Sequence, residues 1–186
     1  MILVSESTIP VKSFDYIYNF LTKYNSSYMS YTPHLVRNNW DIYTNRTQLL
    51  RFIDNTKTYK KFAYHIDIKH WYFNECWSIL NNYHTGLIVK DTYYYQHMKH
   101  GFAWDENYPS YILSVNNELD NIISYETTFV NWKQKTHNKT GGCSPKLYTM
   151  VQSQEIEEFK NPNTLFARKF SKDSNIDSFI PELFSI

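Results

Sequence analysis

Apolar and polar positions change in short blocks along the N-terminal third of the chain, and these blocks predict a strand, a loop and a helix. Residues 2–4 form a short apolar run that is typical of a buried strand, and the polar loop of residues 5–8 follows it. Ser13 is a predicted N-cap, and the apolar residues after it recur at the spacing of one helix face: Phe14, Ile17, Tyr18 and Leu21. A strand over residues 28–31 and a helix over residues 45–54 are predicted next.

Three more helices are predicted in the middle of the chain, each beginning beside a side chain that can accept hydrogen bonds from backbone N–H groups. Asn74 and Asp91 are the predicted caps of the first two helices, which cover residues 75–83 and 92–100, and the third helix runs from about Asp105-Glu106 to Val115. A strand over residues 71–73 precedes the first of them, and Gly101 is expected to end the second. The middle of the chain therefore alternates between β and α.

The C-terminal third continues the same alternation. Residues 127–132 have the highest β propensity of the chain, and the polar residues 133–142 are predicted to form a loop. The elements predicted after them are a turn at residues 143–145, a helix over residues 152–159 and a strand around Arg168. The chain shows no internal repeat and no linker, so the pattern predicts one α/β domain over residues 1–186, with a polar tail from about residue 171.

Two neighbouring cations, Arg168 and Lys169, interrupt an otherwise apolar segment in which Leu165, Ala167 and Phe170 are expected to face inward. Adjacent residues on a strand point to opposite faces. One of the two cations is therefore expected to face the interior or a cleft, where it needs an anionic partner. Two interpretations remain open: a charge pair in water at an edge strand, or a pair that holds a diphosphate.

Composition narrows the classes of function. Of the 186 residues, 42% are hydrophobic, which is enough for a core, and the net charge of +1 argues against a nucleic-acid partner. The two cysteines, Cys76 and Cys143, are too few for a disulfide scaffold or a zinc site made of thiolates. No apolar run is long enough to span a bilayer and no signal peptide is recognisable, so we expect the chain as given to be soluble.

Asp105 and Glu106 are the first candidates for catalysis. Carboxylates at the start of a helix are stabilised by the helix dipole, so capping is one interpretation of the pair. The aromatic residues around it, Phe102, Trp104 and Tyr108, favour a second interpretation. An aromatic wall desolvates a carboxylate and raises its pKa, which suits a general base.

Trp132 is a candidate for binding a sugar. It ends the β run and precedes a polar loop, where a tryptophan either belongs to the core or stacks on the C–H face of a sugar ring. Residues 141–144 can present backbone N–H groups to an anion, although such a motif alone is a weak signal. The seven histidines show no spacing typical of metal ligands, and there is no Asp-x-Asp pair, so we expect no metal site.

Several short motifs occur in the order found in the C-terminal part of one enzyme family. They are Leu3-Val4-Ser5-Glu6-Ser7-Thr8-Ile9-Pro10, Trp71-Tyr72-Phe73, Trp104-Asp105-Glu106, Phe129-Val130-Asn131-Trp132, Gly142-Cys143-Ser144-Pro145 and Leu165-Phe166-Ala167-Arg168-Lys169-Phe170. With these motifs the chain resembles the family of core-2/I-branching β-1,6-N-acetylglucosaminyltransferases and protein xylosyltransferases, glycosyltransferase family 14. The last two motifs are closest to the xylosyltransferase branch.

The resemblance implies a GT-A-like, Rossmann-like fold and an inverting transfer of a sugar, N-acetylglucosamine or xylose. The donor is a UDP-sugar, and the acceptor is a hydroxyl group on a glycan or protein. Glu106 matches the catalytic base of the family, and Trp132 and Asp105 match acceptor-binding positions. The family works without a metal, so the resemblance implies no cofactor.

Basic side chains neutralise the leaving diphosphate in the family resembled. Lys169 and Arg168 match this role, and Ser144 is a weaker match beside the phosphates. The family resembled has a second basic residue before its last helix. In this chain no residue clearly matches it, and Lys146 is the basic residue nearest to that position. The loop over residues 133–142 contains no cysteine, so the partner that the xylosyltransferase branch supplies to Cys143 is missing.

The resemblance covers only the acceptor side of a GT-A domain. The N-terminal half, which holds most of the nucleotide site, is missing from this chain, so a second chain is one expected source of it. The alternative function is a catalytically inactive remnant that binds carbohydrate or protein. The family resembled resides in Golgi membranes, and for this chain a soluble, cytoplasmic or virus-associated location is left open.

Overall fold

The computed structural model of the protein describes residues 1–33, 66–99, 104–134, 136–137 and 143–185. The predicted helix over residues 45–54 lies outside these ranges, as do Gly101, Phe102, Gly141 and Gly142. The chain divides into two compact units. The first unit contains Met1 and residues 26–125, and the second contains residues 2–25 and 126–186. The expectation of one domain over residues 1–186 stays a prediction.

The described residues form a mixed α/β protein, as predicted. The strands are β1 (Thr8–Pro10), β2 (Ser27–Tyr28), β3 (Tyr31–Pro33), β4 (Tyr72–Asn74), β5 (Ile122–Ile123), β6 (Thr128–Val130), β7 (Thr136–His137), β8 (Cys143–Ser144) and β9 (Phe166–Arg168). The helices are α1 (Phe14–Tyr24), α2 (Asn82–Lys90), α3 (Tyr93–Met98), α4 (Tyr108–Val115), α5 (Ser153–Phe159) and α6 (Ile180–Phe184). Within the described ranges, none of these helices combines the length and the apolar character that a bilayer crossing requires.

A three-stranded sheet organises the second unit, with β9 between β1 and β6. β1 runs antiparallel to β9 and β6 runs parallel to it, so Ala167 of β9 lies opposite both Ile9 and Phe129. The buried residues of this unit's core are Val11, Tyr148, Val151, Ile156, Phe159, Ala167, Phe170, Ile176 and Leu183. Ile176 and Leu183 belong to the predicted polar tail, which therefore contributes side chains to the core.

Helix α4 is the centre of the first unit because six of its eight residues are buried. Tyr111 and Ile112 pack in one apolar cluster with Trp71, and Leu113 packs in another with Leu80. The two-strand ladders β2–β5 and β3–β4 belong to the same unit, the first parallel and the second antiparallel. A helix that is buried on nearly all sides gives the residues at its start a fixed support.

The cap prediction for α1 is confirmed, since Ser13 Oγ accepts a hydrogen bond from the Tyr16 N–H at 3.3 Å. The N-cap of α3 is Thr92 and not Asp91 as predicted, but the Asp91 carboxylate, one residue earlier, still accepts from the Tyr95 N–H at 2.8 Å. The apolar face predicted for α1 is only partly covered. Ile17 is buried, whereas Phe14 is 78% exposed.

The buried strand predicted at residues 2–4 is wrong. These residues are exposed, and the strand forms later, at β1, because β1 can pair with the central strand β9. The strand predicted over residues 28–31 is replaced by the ends of two strands, β2 and β3, which pair with different partners.

The helix predicted over residues 75–83 is also wrong, and so is its cap at Asn74. Helix α2 begins at Asn82, and its N-cap is Asn81, whose side chain accepts from the His84 N–H at 2.9 Å. The residues before it pair in an extended form, since Ile79 exchanges backbone hydrogen bonds with Tyr28 at 2.7 and 2.8 Å. Long-range strand pairing therefore outweighs the local helical pattern here.

The turn predicted at residues 143–145 is partly replaced by a strand. β8 pairs antiparallel with β7, which lies inside the predicted loop over residues 133–142. Two short polar strands give too little apolar periodicity to be recognised in the sequence.

Candidate active site

The parallel strands β6 and β9 end at the same edge of the sheet, because Val130 lies opposite Arg168. Trp132 follows β6 by two residues, and Lys169 follows β9 directly. Open α/β sheets hold their ligands outside the carboxyl ends of their strands. The structure therefore brings Trp132, Arg168 and Lys169 to one sheet edge. The interpretation that the two cations hold a diphosphate stays a prediction.

Asn131 shapes the turn that carries Trp132. Its Oδ1 accepts hydrogen bonds from the N–H groups of Lys133 and Gln134 at 3.1 and 3.2 Å, and its Nδ2 donates to the Tyr148 hydroxyl at 3.2 Å. Trp132 itself is 45% exposed. An indole with that exposure is not a core side chain, which favours the interpretation that it stacks on a ligand.

Ser144 reaches the same edge through the segment that follows it. The Lys146 N–H donates to the Asn131 carbonyl oxygen at 3.0 Å. Ser144 precedes Lys146 by two residues and is half-buried. The Lys146 side chain forms an ion pair with Glu155 and lies 4.9 Å above the Tyr148 ring. Since Glu155 already neutralises it, Lys146 is a poor stand-in for a second phosphate-binding cation.

Lys169 forms no ion pair with a carboxylate of the described residues. Lys169 and Arg168 are both half-buried, while Leu165, Ala167 and Phe170 are buried as predicted. A lysine without a carboxylate partner keeps its charge available, so an anionic ligand can approach it without competing with a carboxylate of the protein.

A loop of hydroxyl-bearing residues lies beside the two cations. Thr8 is opposite Arg168 in the sheet, and the Ser7 carbonyl accepts a hydrogen bond from the Phe170 N–H at 3.0 Å. Ser5 Oγ lies 3.1 Å from Ser7 Oγ and 2.9 Å from Thr8 Oγ1. Hydroxyl groups can donate to phosphate oxygens. The sequence showed this loop, but only the pairing of β1 with β9 places it beside the cations.

The acid pair lies in the first unit, in a 3₁₀ turn over Trp104–Glu106 that precedes α4. Asp105 is exposed and Glu106 is half-buried. The Asn107 N–H donates to the Trp104 carbonyl at 3.0 Å, and this bond closes the turn. Both carboxyl groups therefore stand just before a buried helix, where the dipole favours negative charge.

Cys76 lies against this acid pair, with its Sγ 3.5 Å from Asp105 Oδ2. Burial, followed by the negative charges of Asp105, Glu106 and Glu75, raises the pKa of the thiol to about 12. The thiol is consequently protonated near neutral pH and can donate a hydrogen bond to Asp105. Cys76 is a free cysteine.

Two of the three aromatic residues expected around the acid pair belong to the described residues. The ring centroids of Trp104 and Tyr108 are 5.5 Å apart, and Trp104 is 5.9 Å from Tyr95. The Tyr108 hydroxyl donates to Asp91 Oδ2 at 2.9 Å, which fixes the ring. The aromatic cluster is therefore present, and its effect on the acid pair stays a prediction.

The acid pair belongs to the first unit, whereas the cations, Ser144 and Trp132 belong to the second. The expectation that Glu106, Trp132 and Lys169 line one pocket stays a prediction. Across the part of the chain that the structure describes, no group of three or more His, Cys, Asp or Glu side chains is arranged to hold a metal ion.

Comparison with known proteins agrees with the family that the sequence motifs suggested. The family model described as Core-2/I-Branching enzyme matches residues 1–161, which is most of the chain and ends before the motif of residues 165–170. The resemblance drawn from the motifs is confirmed by this match. A comparison with curated proteins found no match.

Proposed function

We propose a specific reaction for this chain, which belongs to the core-2/I-branching enzyme family and hence to the glycosyltransferases. In this proposal the chain transfers N-acetylglucosamine or xylose from a UDP-sugar to a hydroxyl group of a glycan or glycoprotein. The transfer inverts the anomeric carbon and needs no metal. A GT-A fold is part of the same proposal.

The observation that carries the proposal is the cationic edge of the second unit's sheet. Lys169, without a carboxylate partner among the described residues, stands next to Arg168, and the backbone of the hydroxyl-bearing loop before β1 pairs with the same strand end. When the bond to UDP breaks, negative charge develops on the diphosphate, and cations that are already in place stabilise it. In other enzymes a divalent metal supplies this neutralisation.

The proposed reaction is a single displacement. Glu106 takes the proton of the acceptor hydroxyl while its oxygen attacks the anomeric carbon, and the carbon–oxygen bond to UDP breaks with its electron pair leaving on the phosphate. The proton on Glu106 then returns to solvent. Trp132 stacks on the acceptor sugar, Asp105 accepts hydrogen bonds from acceptor hydroxyls, and Ser144 donates to the phosphate.

The test is sugar transfer by the full chain and by Glu106→Gln. Each protein is incubated with UDP-N-acetylglucosamine or UDP-xylose and a panel of glycan and peptide acceptors, and UDP release and product mass are measured with and without EDTA. We expect Glu106→Gln to lower kcat by about a hundredfold to ten-thousandfold while UDP binding is kept. The exposed Glu126→Gln is the matched control, with unchanged kcat.

Equal turnover by wild type and Glu106→Gln would contradict the role of Glu106 as the base. Loss of turnover in EDTA would contradict the metal-free mechanism.

The exposed Trp132 also fits a second function, glycan binding without transfer. Calorimetry distinguishes the two functions. Binding of glycan acceptors without binding of UDP, together with no turnover, would favour the binding module over the transferase.

A further inference from the structure

Asn74 is buried, with 1% of its surface exposed. Its side chain contacts the turn over Trp104–Glu106, which carries the acid pair and is called the acid-bearing turn below. Its Oδ1 accepts a hydrogen bond from the Ser110 N–H at 3.2 Å, and its Nδ2 donates to the carbonyl oxygens of Asp105 at 3.1 Å and Glu75 at 3.3 Å. Both hydrogens of the amide are therefore used. The reverse orientation of the amide would set oxygen against carbonyl oxygen and N–H against N–H, so only this orientation fits.

The Asp105 carbonyl is part of the peptide group that joins Asp105 to Glu106. A peptide group is planar, so a hydrogen bond to its oxygen restricts the whole plane and the backbone position from which the Glu106 side chain starts. The Ser110 N–H lies in the first turn of α4, where backbone N–H groups lack intrahelical partners. Asn74 thus joins the end of β4, the acid-bearing turn and the start of α4 in one set of hydrogen bonds.

We propose that Asn74 is a positioning residue: its buried amide fixes the peptide between Asp105 and Glu106 and so sets the direction in which the Glu106 carboxylate meets the acceptor hydroxyl. This inference rests on the proposed role of Glu106 as the base. A general base must reach hydrogen-bond distance of its proton, and a displacement of about 1 Å can lower the rate about a hundredfold. Asn74 acts through Glu106, not on the substrate itself.

Two substitutions separate the donor from the acceptor function of the Asn74 amide. Asn74→Asp keeps the shape and the oxygen that accepts from the Ser110 N–H, but it removes the N–H that holds the Asp105 carbonyl. Asn74→Ala removes both functions. The matched control is Ser114→Ala, which removes a hydroxyl from the same buried helix, where it contacts His70 Nδ1 at 2.8 Å.

Steady-state kinetics with UDP-N-acetylglucosamine and UDP-xylose give the first readout. We expect both Asn74 variants to lower kcat by about tenfold to a hundredfold, with the donor KM within about twofold of wild type. Ser114→Ala lowers the Tm but leaves kcat within about twofold. If Asn74→Ala does not fold, Asn74→Asp decides alone. A kcat near that of wild type in Asn74→Asp overturns the inference, as does an equal loss of kcat in Ser114→Ala.

The Cys76 thiol gives a second readout that needs no turnover, because it contacts the same turn. Replacing Cys143 by Ser leaves Cys76 as the only cysteine. If Asn74 holds the turn, Asn74→Ala lets the carboxylates move from the thiol, and alkylation by iodoacetamide at a fixed pH of about 8 becomes roughly tenfold faster. Asn74→Ser replaces the alanine variant if that does not fold. An unchanged rate overturns the inference, and so does an equal acceleration in Ser114→Ala.

These results separate failure of the inference from failure of the proposed function. If Glu106→Gln loses turnover while Asn74→Asp keeps it, only the role of Asn74 is wrong. If Glu106→Gln keeps full turnover, or if wild type transfers no sugar, the proposed mechanism is wrong and the inference fails with it.

Discussion

At the scale of single residues, Lys146 and Lys169 show how a neighbouring carboxylate decides what a cation can bind. Both belong to the same sheet edge and both are half-buried. Glu155 pairs with Lys146, whereas no carboxylate of the described residues pairs with Lys169. A cation that already has a partner gains little from a second anion, so Lys169 is the stronger candidate for a phosphate.

Replacing Lys169 by Met should therefore weaken UDP binding. We expect the affinity to fall by at least about tenfold, equivalent to roughly 1.4 kcal/mol, because a cation without a carboxylate partner is lost beside the diphosphate. Isothermal titration calorimetry with UDP measures this change. The control is Lys172→Met, which removes the same charge from an exposed position in the same unit. Equal UDP affinities of the two variants would contradict the assignment of Lys169.

At the scale of elements, Glu155 links the start of α5 to the sheet edge. Its Oε2 accepts a hydrogen bond from the Gln152 N–H at 3.0 Å, and its other oxygen pairs with Lys146. Burial alone would raise the pKa of Glu155, but the hydrogen bonds from Lys146 and the Gln152 N–H outweigh burial and lower it. One carboxylate thus both caps a helix and neutralises a cation.

Glu155 should make stability depend on pH. Because its pKa is lower in the folded state, its stabilisation is present above the ordinary carboxyl value of 4.5 and is lost as pH falls through the folded-state value. We expect Glu155→Gln to lower the free energy of unfolding by about 1–2 kcal/mol at pH 7 and by less under acid conditions. Urea denaturation at several pH values measures this.

The exposed Glu126→Gln is the control for this experiment, since Glu126 forms no hydrogen bond or ion pair with another described residue. A constant difference between Glu155→Gln and wild type at all pH values would contradict the role of the Glu155 charge.

At the scale of the whole molecule, charge is nearly balanced and the apolar residues form separate cores in the two units. The chain has 19 Lys and Arg against 18 Asp and Glu. The first unit contains two buried clusters around α4, and the second contains one beside its sheet. A nearly neutral chain lacks the positive field that draws a polyanion, so recognition of the diphosphate must rest on local geometry.

The balance of charge predicts that the chain does not bind single-stranded nucleic acid. We expect no change in the fluorescence anisotropy of labelled DNA or RNA oligonucleotides at about 0.15 M salt, because few phosphates can be neutralised at once. Measurement at lower salt tests whether any binding is only electrostatic. Binding that persists as the salt concentration rises would contradict this prediction.

Much of the candidate site could be predicted because its signals are local. The short motifs indicated the family that the family model matches. The β propensity of residues 127–132 predicted the strand that ends near Trp132. The apolar residues around Arg168 were expected to face inward, and Leu165, Ala167 and Phe170 are buried. The pairing of Lys146 with Glu155 and the place of the Ser5–Thr8 loop beside strand β9 could not be predicted, because both depend on segments meeting in space.

Helices α1 and α5, strands β6 and β9 and the family follow from the sequence alone, since caps, periodicity and motifs act within a few residues of one another. The exposure of residues 2–4 depends on the folded structure, and so does the extended pairing of the chain near Ile79 where a helix was predicted. In the folded structure Asn74 forms hydrogen bonds with the turn before α4 and with the start of α4, and it does not cap a helix that follows it in the sequence. The physical reason is that backbone and buried polar groups must be hydrogen-bonded, and their partners can lie far away in the sequence.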